Sequence, residues 1–220
     1  MRRIVGIAVV AVLAILLINA QISREGKTIE LGGIEVREYQ GQNLSSVQDF
    51  RENSIKGPQF IDVETYHLKI SGLVDKPGSY TYSEVVDAST HYSKVVTLYC
   101  VEGWDVTILW EGLLFSDVVA AAGPLSEATV VIFYAEDGYS TSFPIDYLME
   151  NEIIMAYKMN DVTLPPERGF PFQLVAETKW GYKWIKWITE IGFSGDTGYQ
   201  GYWESRGYSN DGDLDDSFFD

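Results

Sequence analysis

The chain has 220 residues, 46% of them hydrophobic, which suits one domain with short ends and a real core. Its net charge of −16, from 16 basic and 32 acidic residues, argues against nucleic acid and anionic lipid as partners and suits a salty or extracellular medium. The single cysteine excludes an internal disulfide, so stability must come from packing, for which 6 Trp, 14 Tyr and 10 Phe are available.

Met1-Arg2-Arg3 opens an uncharged apolar run from Ile4 to Ile18. As a helix, residues 4–20 would span roughly 25 Å, near the lower limit for crossing a bilayer. A cleaved signal peptide competes with an uncleaved anchor, but Ile18-Asn19-Ala20 lacks the small residue that cleavage prefers at its first position, so residues 1–20 are expected to be a transmembrane anchor. Arg2 and Arg3 would hold the start of the chain inside and leave the remainder outside the membrane. Residues 21–57 are polar and poorly periodic, a linker that wraps onto the domain, and residues 58–208 form its body.

Within the body, Tyr66–Ser71 alternates as a strand, with Pro77-Gly78 as a turn. Ser83 to Ala88 reads as a short helix capped by Ser83. Val95–Val101 is a continuous apolar run, hence a buried strand with Cys100 at its end. Ser116–Ala122 is a helix stopped by Gly123-Pro124. Thr129–Tyr134 and Tyr139–Phe143 are strands joined by the turn Glu136-Asp137-Gly138, and Pro144–Glu150 is a helix with Pro in its first turn. Strands recur at Ile153–Tyr157, Phe172–Ala176 and Trp184–Ile191, so the class is mixed α+β. Residues 209–220 are expected to be a disordered acidic tail, because Asp211 to Asp220 hold five Asp and no base.

Familiar catalytic motifs are absent. His67 and His91 are the only histidines and have no zinc-binding spacing; no nucleophile elbow, phosphate loop or dinucleotide fingerprint occurs. A lone cysteine closing an apolar strand is ordinarily an inert core residue. Here Val101-Glu102-Gly103-Trp104 breaks the strand directly after Cys100, which exposes the sulfur, and a soft thiolate suits sulfur-loving metals. A second candidate is Lys183-Trp184-Ile185-Lys186-Trp187, where alternation in an extended segment puts Lys183, Ile185 and Trp187 on one face. Edge-strand gatekeeping is the default reading of such a stretch. Yet residues 167–187 hold Arg168, Lys179, Lys183 and Lys186 against Glu167 and Glu177, a net +2 that suggests an anionic ligand such as a phosphate, and the aromatics suit a flat heterocycle.

In these landmarks, taken with Asn53–Gly57, Asp137-Gly138-Tyr139, Arg168–Pro171 and Tyr202–Tyr208, the chain resembles the oxidoreductase molybdopterin-binding domain of the sulfite oxidase family, including its periplasmic methionine sulfoxide reductase branch. The resemblance runs from Asn53 to Tyr208 and implies a sulfite oxidase-type α+β fold around a molybdenum–molybdopterin cofactor. It implies Cys100 as the metal ligand, Asn53 as a pterin contact, Trp184, Ile185 and Lys186 as the segment holding the cofactor, and Lys183 as a neutraliser of its phosphate. Gln173 stands where the family usually has Arg, and Arg168 stands where it often has His or Asn, from which it could supply the missing charge. Glu102-Gly103-Trp104 replaces the Asn-Arg pair of eukaryotic sulfite oxidases, which argues against an Arg-rich sulfite pocket. Tyr139 or Trp104 would line the mouth.

The activity so implied is extracytoplasmic two-electron oxygen-atom transfer on a small substrate. No haem motif occurs, so electrons would pass to a separate carrier, a cytochrome or a quinone-linked membrane protein. Two other readings stand beside it. One is a cofactor-free binding module, which Gln173 supports; the other is a structural membrane-anchored protein with Cys100 simply buried.

Overall fold

The structure, a computed structural model, describes residues 34–219. The expected anchor at residues 1–20 and the first part of the linker lie outside the described residues; among the described residues no helix is long and apolar enough to cross a membrane.

Residues 34–57 lie on the domain and carry the hairpin of β1 (Glu38–Tyr39) and β2 (Gln42–Asn43). What fastens them is the Glu35 carboxylate, which accepts from Ser46 Oγ at 2.6 Å, the Val47 amide at 2.8 Å and Asn160 Nδ2 at 3.4 Å. Leu44 and Val47 are buried beneath it.

The body runs β3 (His67–Gly72), β4 (Gly78–Thr81), α1 (Tyr82–Asp87), β5 (Tyr92–Tyr99), β6 (Asp105–Leu114), α2 (Phe115–Ala122), β7 (Val130–Ala135), β8 (Ser140–Pro144), α3 (Ile145–Glu150), β9 (Ile154–Met159), β10 (Val162–Thr163), β11 (Gln173–Val175) and β12 (Ile188–Ser194). One sheet has the order β4-β3-β12-β7-β8, with β3 and β12 parallel and the other pairs antiparallel. The other runs β10-β9-β6-β5, and β11 also pairs with β9. A single core takes Leu68, Phe133 and Ile191 from the first sheet, Ile108, Trp110 and Met155 from the second, and Phe115 and Leu148 from the helices.

The fold is mostly β rather than evenly mixed, since among the described residues each of the three α-helices has at most eight residues. The largest addition to the sequence reading is β6. Its sequence DVTILWEGLL shows no alternation because its middle is buried on both faces between β5 and β9. Boundaries also move. The cap of α1 is Thr81, not Ser83: its hydroxyl accepts from the Glu84 amide while Glu84 accepts from the Thr81 amide, a reciprocal capping box. Pro144 is the cap of α3 rather than part of its first turn.

Two differences concern the site. The strand expected at Trp184–Ile191 begins only at Ile188; residues Gly181–Lys183 form a 3-10 turn, and Trp187 has φ +56°. The alternation expected of Lys183, Ile185 and Trp187 therefore does not hold. The acidic stretch after Ser209 is laid on the domain instead of free. Leu214 N donates to Thr178 O at 2.9 Å, Asp213 pairs with Lys179 at 2.5 Å, and the Phe218 ring sits edge-on to Trp180 at 5.4 Å. A neutralising lysine and two terminal phenylalanines outweigh the repulsion of the acids.

Candidate active site

Three stretches converge on a cavity of about 270 Å³: residues 50–55 of the wrapping segment, the β5–β6 turn, and the loop between β11 and β12. The β5–β6 turn is shaped by Cys100 N donating to Trp104 O at 2.9 Å and Gly103 N donating to Cys100 O at 3.0 Å. Gly103 takes φ +81°, a conformation that favours glycine. This turn leaves Cys100 7% exposed, with its side chain on the cavity wall. Burial pushes its thiol pKa up; the Glu102 amide opposes this, the Glu102 charge adds to it, and the Asn53 amide and Arg51 charge pull it down. The net shift is upward, so the free sulfur holds its proton until a cation displaces it.

Asn53 lies beside it, where its amide donates to Glu102 Oε1 at 3.3 Å, while the Trp104 indole donates to Glu102 Oε2 at 3.2 Å. A carboxylate is thus held in place at the mouth. Arg168 also lines the cavity, and its guanidinium donates to two backbone carbonyls, Val47 O at 3.1 Å and Phe50 O at 3.2 Å, above the Phe50 ring. Lys186 reaches Glu52 at 3.1 Å and Glu167 O at 3.3 Å, and lies over the Trp187 ring. Burial lowers the pKa of both cations. Gln173, 3% exposed, lines the wall with Trp184 and Ile185. Gly169 lets these parts close up: at φ +102°, a Cβ there would stand 3.1 Å from the Cβ atoms of both Gln173 and Lys186.

Seven of the eight residues expected from the sequence therefore meet at one cavity. Lys183 does not. It is fully buried behind the wall, and its ammonium donates to Ser142 O at 2.9 Å, Glu204 Oε1 at 2.8 Å and Asn210 O at 2.8 Å. All three donors are used, so none is left for a phosphate. Tyr139 and Trp104 both line the cavity, but the Tyr139 hydroxyl is committed to Tyr182 O at 2.5 Å.

Arg51, Ser54 and Asp137 also belong to the cavity; none is among the expected site residues, although Ser54 and Asp137 lie in stretches that carry the resemblance. Arg51 lines it without a hydrogen bond or ion pair among the described residues; Ser54 Oγ is buried there with no partner; Asp137 is a buried carboxylate on the same wall. Arg51 and Ser54 lie within two residues of Asn53, and Asp137 opens the Asp137-Gly138-Tyr139 landmark, sequence signals that could have found them. Among the described residues no three His, Cys, Asp or Glu side chains gather as a metal site.

The chain is similar in sequence and fold to known proteins. Residues 55–203 match the family described as "Oxidoreductase molybdopterin binding domain". Over 157 residues the chain is 33% identical to the oxidoreductase YuiH of Bacillus subtilis (strain 168), covering 71% of this chain and 78% of that one. It is 29% identical over 153 residues to the protein-methionine-sulfoxide reductase catalytic subunit MsrP of Xanthomonas campestris pv. campestris, covering 63% of this chain and 48% of that one, about half its length. The sulfane dehydrogenase SoxCD from Paracoccus pantotrophus shares the fold, with a TM-score of 0.62 at 22% identity over 70% of this chain and 43% of that one. With the family match spanning most of the folded part, and its cysteine on the wall of the cavity, the chain belongs to the oxidoreductase molybdopterin-binding domain family.

Proposed function

We propose that the chain is a molybdopterin-dependent oxidoreductase that carries out two-electron oxygen-atom transfer on a small substrate, with Cys100 as the protein's ligand to molybdenum. The observation that carries this is the position of the sole cysteine on a cavity shared with Asn53, Arg168, Gln173, Trp184, Ile185 and Lys186. The donor set fits such a group. It offers a soft thiolate, two cations in Arg51 and Lys186, an unpartnered hydroxyl at Ser54 and the amides of Asn53 and Gln173. When bound, the cofactor would supply transfer of an oxygen atom between substrate and water, with the two electrons exchanged with a separate carrier.

The chain's own residues prepare that chemistry. Cys100 gives up its proton to bind the metal, helped by the Glu102 amide, the Asn53 amide and the Arg51 charge. Trp184 and Ile185 keep water from one wall, and Lys186 with Arg168 offers positive charge to a phosphate. Glu102 fixes a negative charge at the mouth, which favours a neutral sulfur compound over an oxyanion such as sulfite. The MsrP relative, named for a sulfoxide, supports this choice, and its name as one catalytic subunit supports a separate electron carrier. Residues 1–20 would tether the domain outside the cytoplasmic membrane; release of a soluble protein on their deletion, against mature chains beginning at Gln21, tests that arm.

Gln173 in place of the family's usual Arg favours the second reading, a cofactor-free binding module on the same fold. Elemental and pterin analysis of protein from a host that makes the cofactor separates the two. The enzyme reading expects about one molybdenum and one pterin per chain, since one cysteine serves one metal. Cys100→Ser keeps the fold and loses thiolate-to-metal absorption and activity; a fully active Ser variant overturns the assignment.

A further inference from the structure

Two opposite charges stand at the mouth of the cavity, and neither neutralises the other. Arg51 and Glu102 are both exposed and both line the cavity. Each also acts on the Cys100 thiol, Arg51 pulling its pKa down and Glu102 pushing it up, so both lie within electrostatic reach of the sulfur. Yet the Glu102 carboxylate takes its hydrogen bonds from Asn53 and the Trp104 indole, and Arg51 has no hydrogen bond or ion pair among the described residues.

A lone exposed charge at a rim is ordinarily just solvated. Here the arrangement is more specific. Glu102 is held in one orientation by two donors, and one of them, Asn53, belongs to the short segment that carries Arg51. The two charges are thereby set relative to each other and to Cys100. The more buried cations, Lys186 and Arg168, remain for the cofactor's phosphate. An anion arriving at this mouth meets Glu102, and a cation meets Arg51. A net-neutral molecule with both charges at one end satisfies both groups at once. The guanidinium takes its carboxylate through paired donors, and Glu102 accepts from its ammonium. Trp104, Trp203 and Tyr208 line the same cavity and suit a short apolar stem containing sulfur, which packs well against aromatic rings.

We propose that Arg51 and Glu102 recognise the zwitterionic head of a free α-amino acid, and so select an amino-acid sulfoxide such as free methionine sulfoxide over the same group within a protein chain. This rests on the reading of the cavity as an oxygen-atom-transfer site and names its substrate class. In the reaction the sulfur–oxygen bond breaks, the oxygen leaves as water with two protons, and two electrons from a one-electron carrier reduce the sulfoxide to a thioether. A residue inside a peptide has neither the ammonium nor the carboxylate, and leaves both Arg51 and Glu102 unmatched.

Four substrates separate the two contacts: free methionine sulfoxide, its N-acetyl form, its C-terminal amide and the doubly blocked form. With molybdenum-loaded protein and a reduced viologen dye as electron donor, kcat/KM for the free amino acid should exceed that for the doubly blocked form at least tenfold to a hundredfold, roughly the effect of one charge-assisted hydrogen bond. Arg51→Gln should erase the preference for a free carboxylate and keep that for a free ammonium, and Glu102→Gln should do the reverse. A change in cofactor content or in the metal's electronics lowers all four values alike. Ratios that stay at the wild-type level in both variants therefore overturn the proposal, and if Arg51→Gln also loses pterin, Arg51 belongs to the cofactor. Calorimetry with methionine sulfone as a probe that is not a sulfoxide reads the same preference without turnover. The loaded wild type should bind it roughly tenfold more tightly than its doubly blocked form. Equal values for free and blocked substrates in the wild type, or turnover of none of the four, overturn the proposal and leave the cofactor reading intact. A wild type devoid of molybdenum and pterin overturns that reading itself. Should the variants not fold, the four-substrate series on the wild type decides.

Discussion

Lys183 and Lys186 lie three residues apart on one stretch of chain, yet they serve different parts of the molecule. Lys186 is on the cavity wall, where it shares its charge with a partly exposed glutamate and a carbonyl. Lys183 is in a polar knot behind that wall. Its three donors are filled by Ser142 O, Asn210 O and Glu204, whose bound oxygen also accepts from Thr141 at 2.5 Å. The knot ties the loop before β12 to β8 and to the segment around Trp203 and Tyr208, both of which line the cavity. A cation's place in the sequence therefore does not say whether it binds a ligand. The acceptors that folding brings to it do.

The comparison is broken most severely at the knot. Lys183 and Glu204 are both fully buried, so Lys183→Ala would strand a carboxylate without its counter-charge. The expected cost is about 3–5 kcal/mol. A domain of this size loses roughly 2–4 °C of thermal midpoint per kcal/mol, which calorimetry of the cofactor-free protein measures. Replacing the pair by Lys183→Met with Glu204→Leu should recover most of the loss, because both desolvation costs disappear together. A double variant no more stable than the single one would show that the pair is not what holds the knot.

Much of the cavity is legible in the amino-acid sequence. Cys100 is marked by the Glu-Gly-Trp that ends its strand, and Asn53, Trp184, Ile185 and Lys186 by resemblance. What escapes such a reading depends on distant partners. The inward turn of Lys183 is set by Glu204 and Asn210, over 20 residues away. The docking of the tail is set by Lys179 and Trp180. β6 escapes because burial on both faces erases alternation.

Lys186→Ala sharpens the contrast by giving the opposite pattern. Its ion pair with Glu52 is partly open to solvent, with side chains 17% and 32% exposed, so the cofactor-free protein should lose at most about 1 kcal/mol. If Lys186 holds the cofactor's phosphate, retention should instead fall roughly tenfold to a hundredfold. Measuring pterin content and thermal midpoint on the Lys183 and Lys186 variants together gives a crossed result. Full pterin occupancy in Lys186→Ala would remove it from the site.

The smallest expected effect concerns how the wall at residues 50–55 is attached, as against the knot behind it. That wall is carried by the segment fastened through Glu35. Burial would raise the Glu35 pKa, but hydrogen bonds from Ser46 Oγ, the Val47 amide and Asn160, together with the Arg37 charge, bring it below its ordinary value of 4.5. A carboxyl whose pKa is lower when folded favours the native state above the unfolded pKa. That contribution is lost as the pH falls from 4.5 through the folded value. The wrapping segment should thus loosen in acid before the core does, seen as faster amide exchange at residues 44–50 as the pH falls below 4.5, after correction for intrinsic rates. Glu35→Gln cannot titrate, so it should exchange faster than the wild type at pH 6 and lose most of the dependence on pH. If the variant keeps the wild-type pH dependence, another carboxylate governs the attachment, and Asp49, which accepts from the Ser46 amide at 2.6 Å, is the next to change.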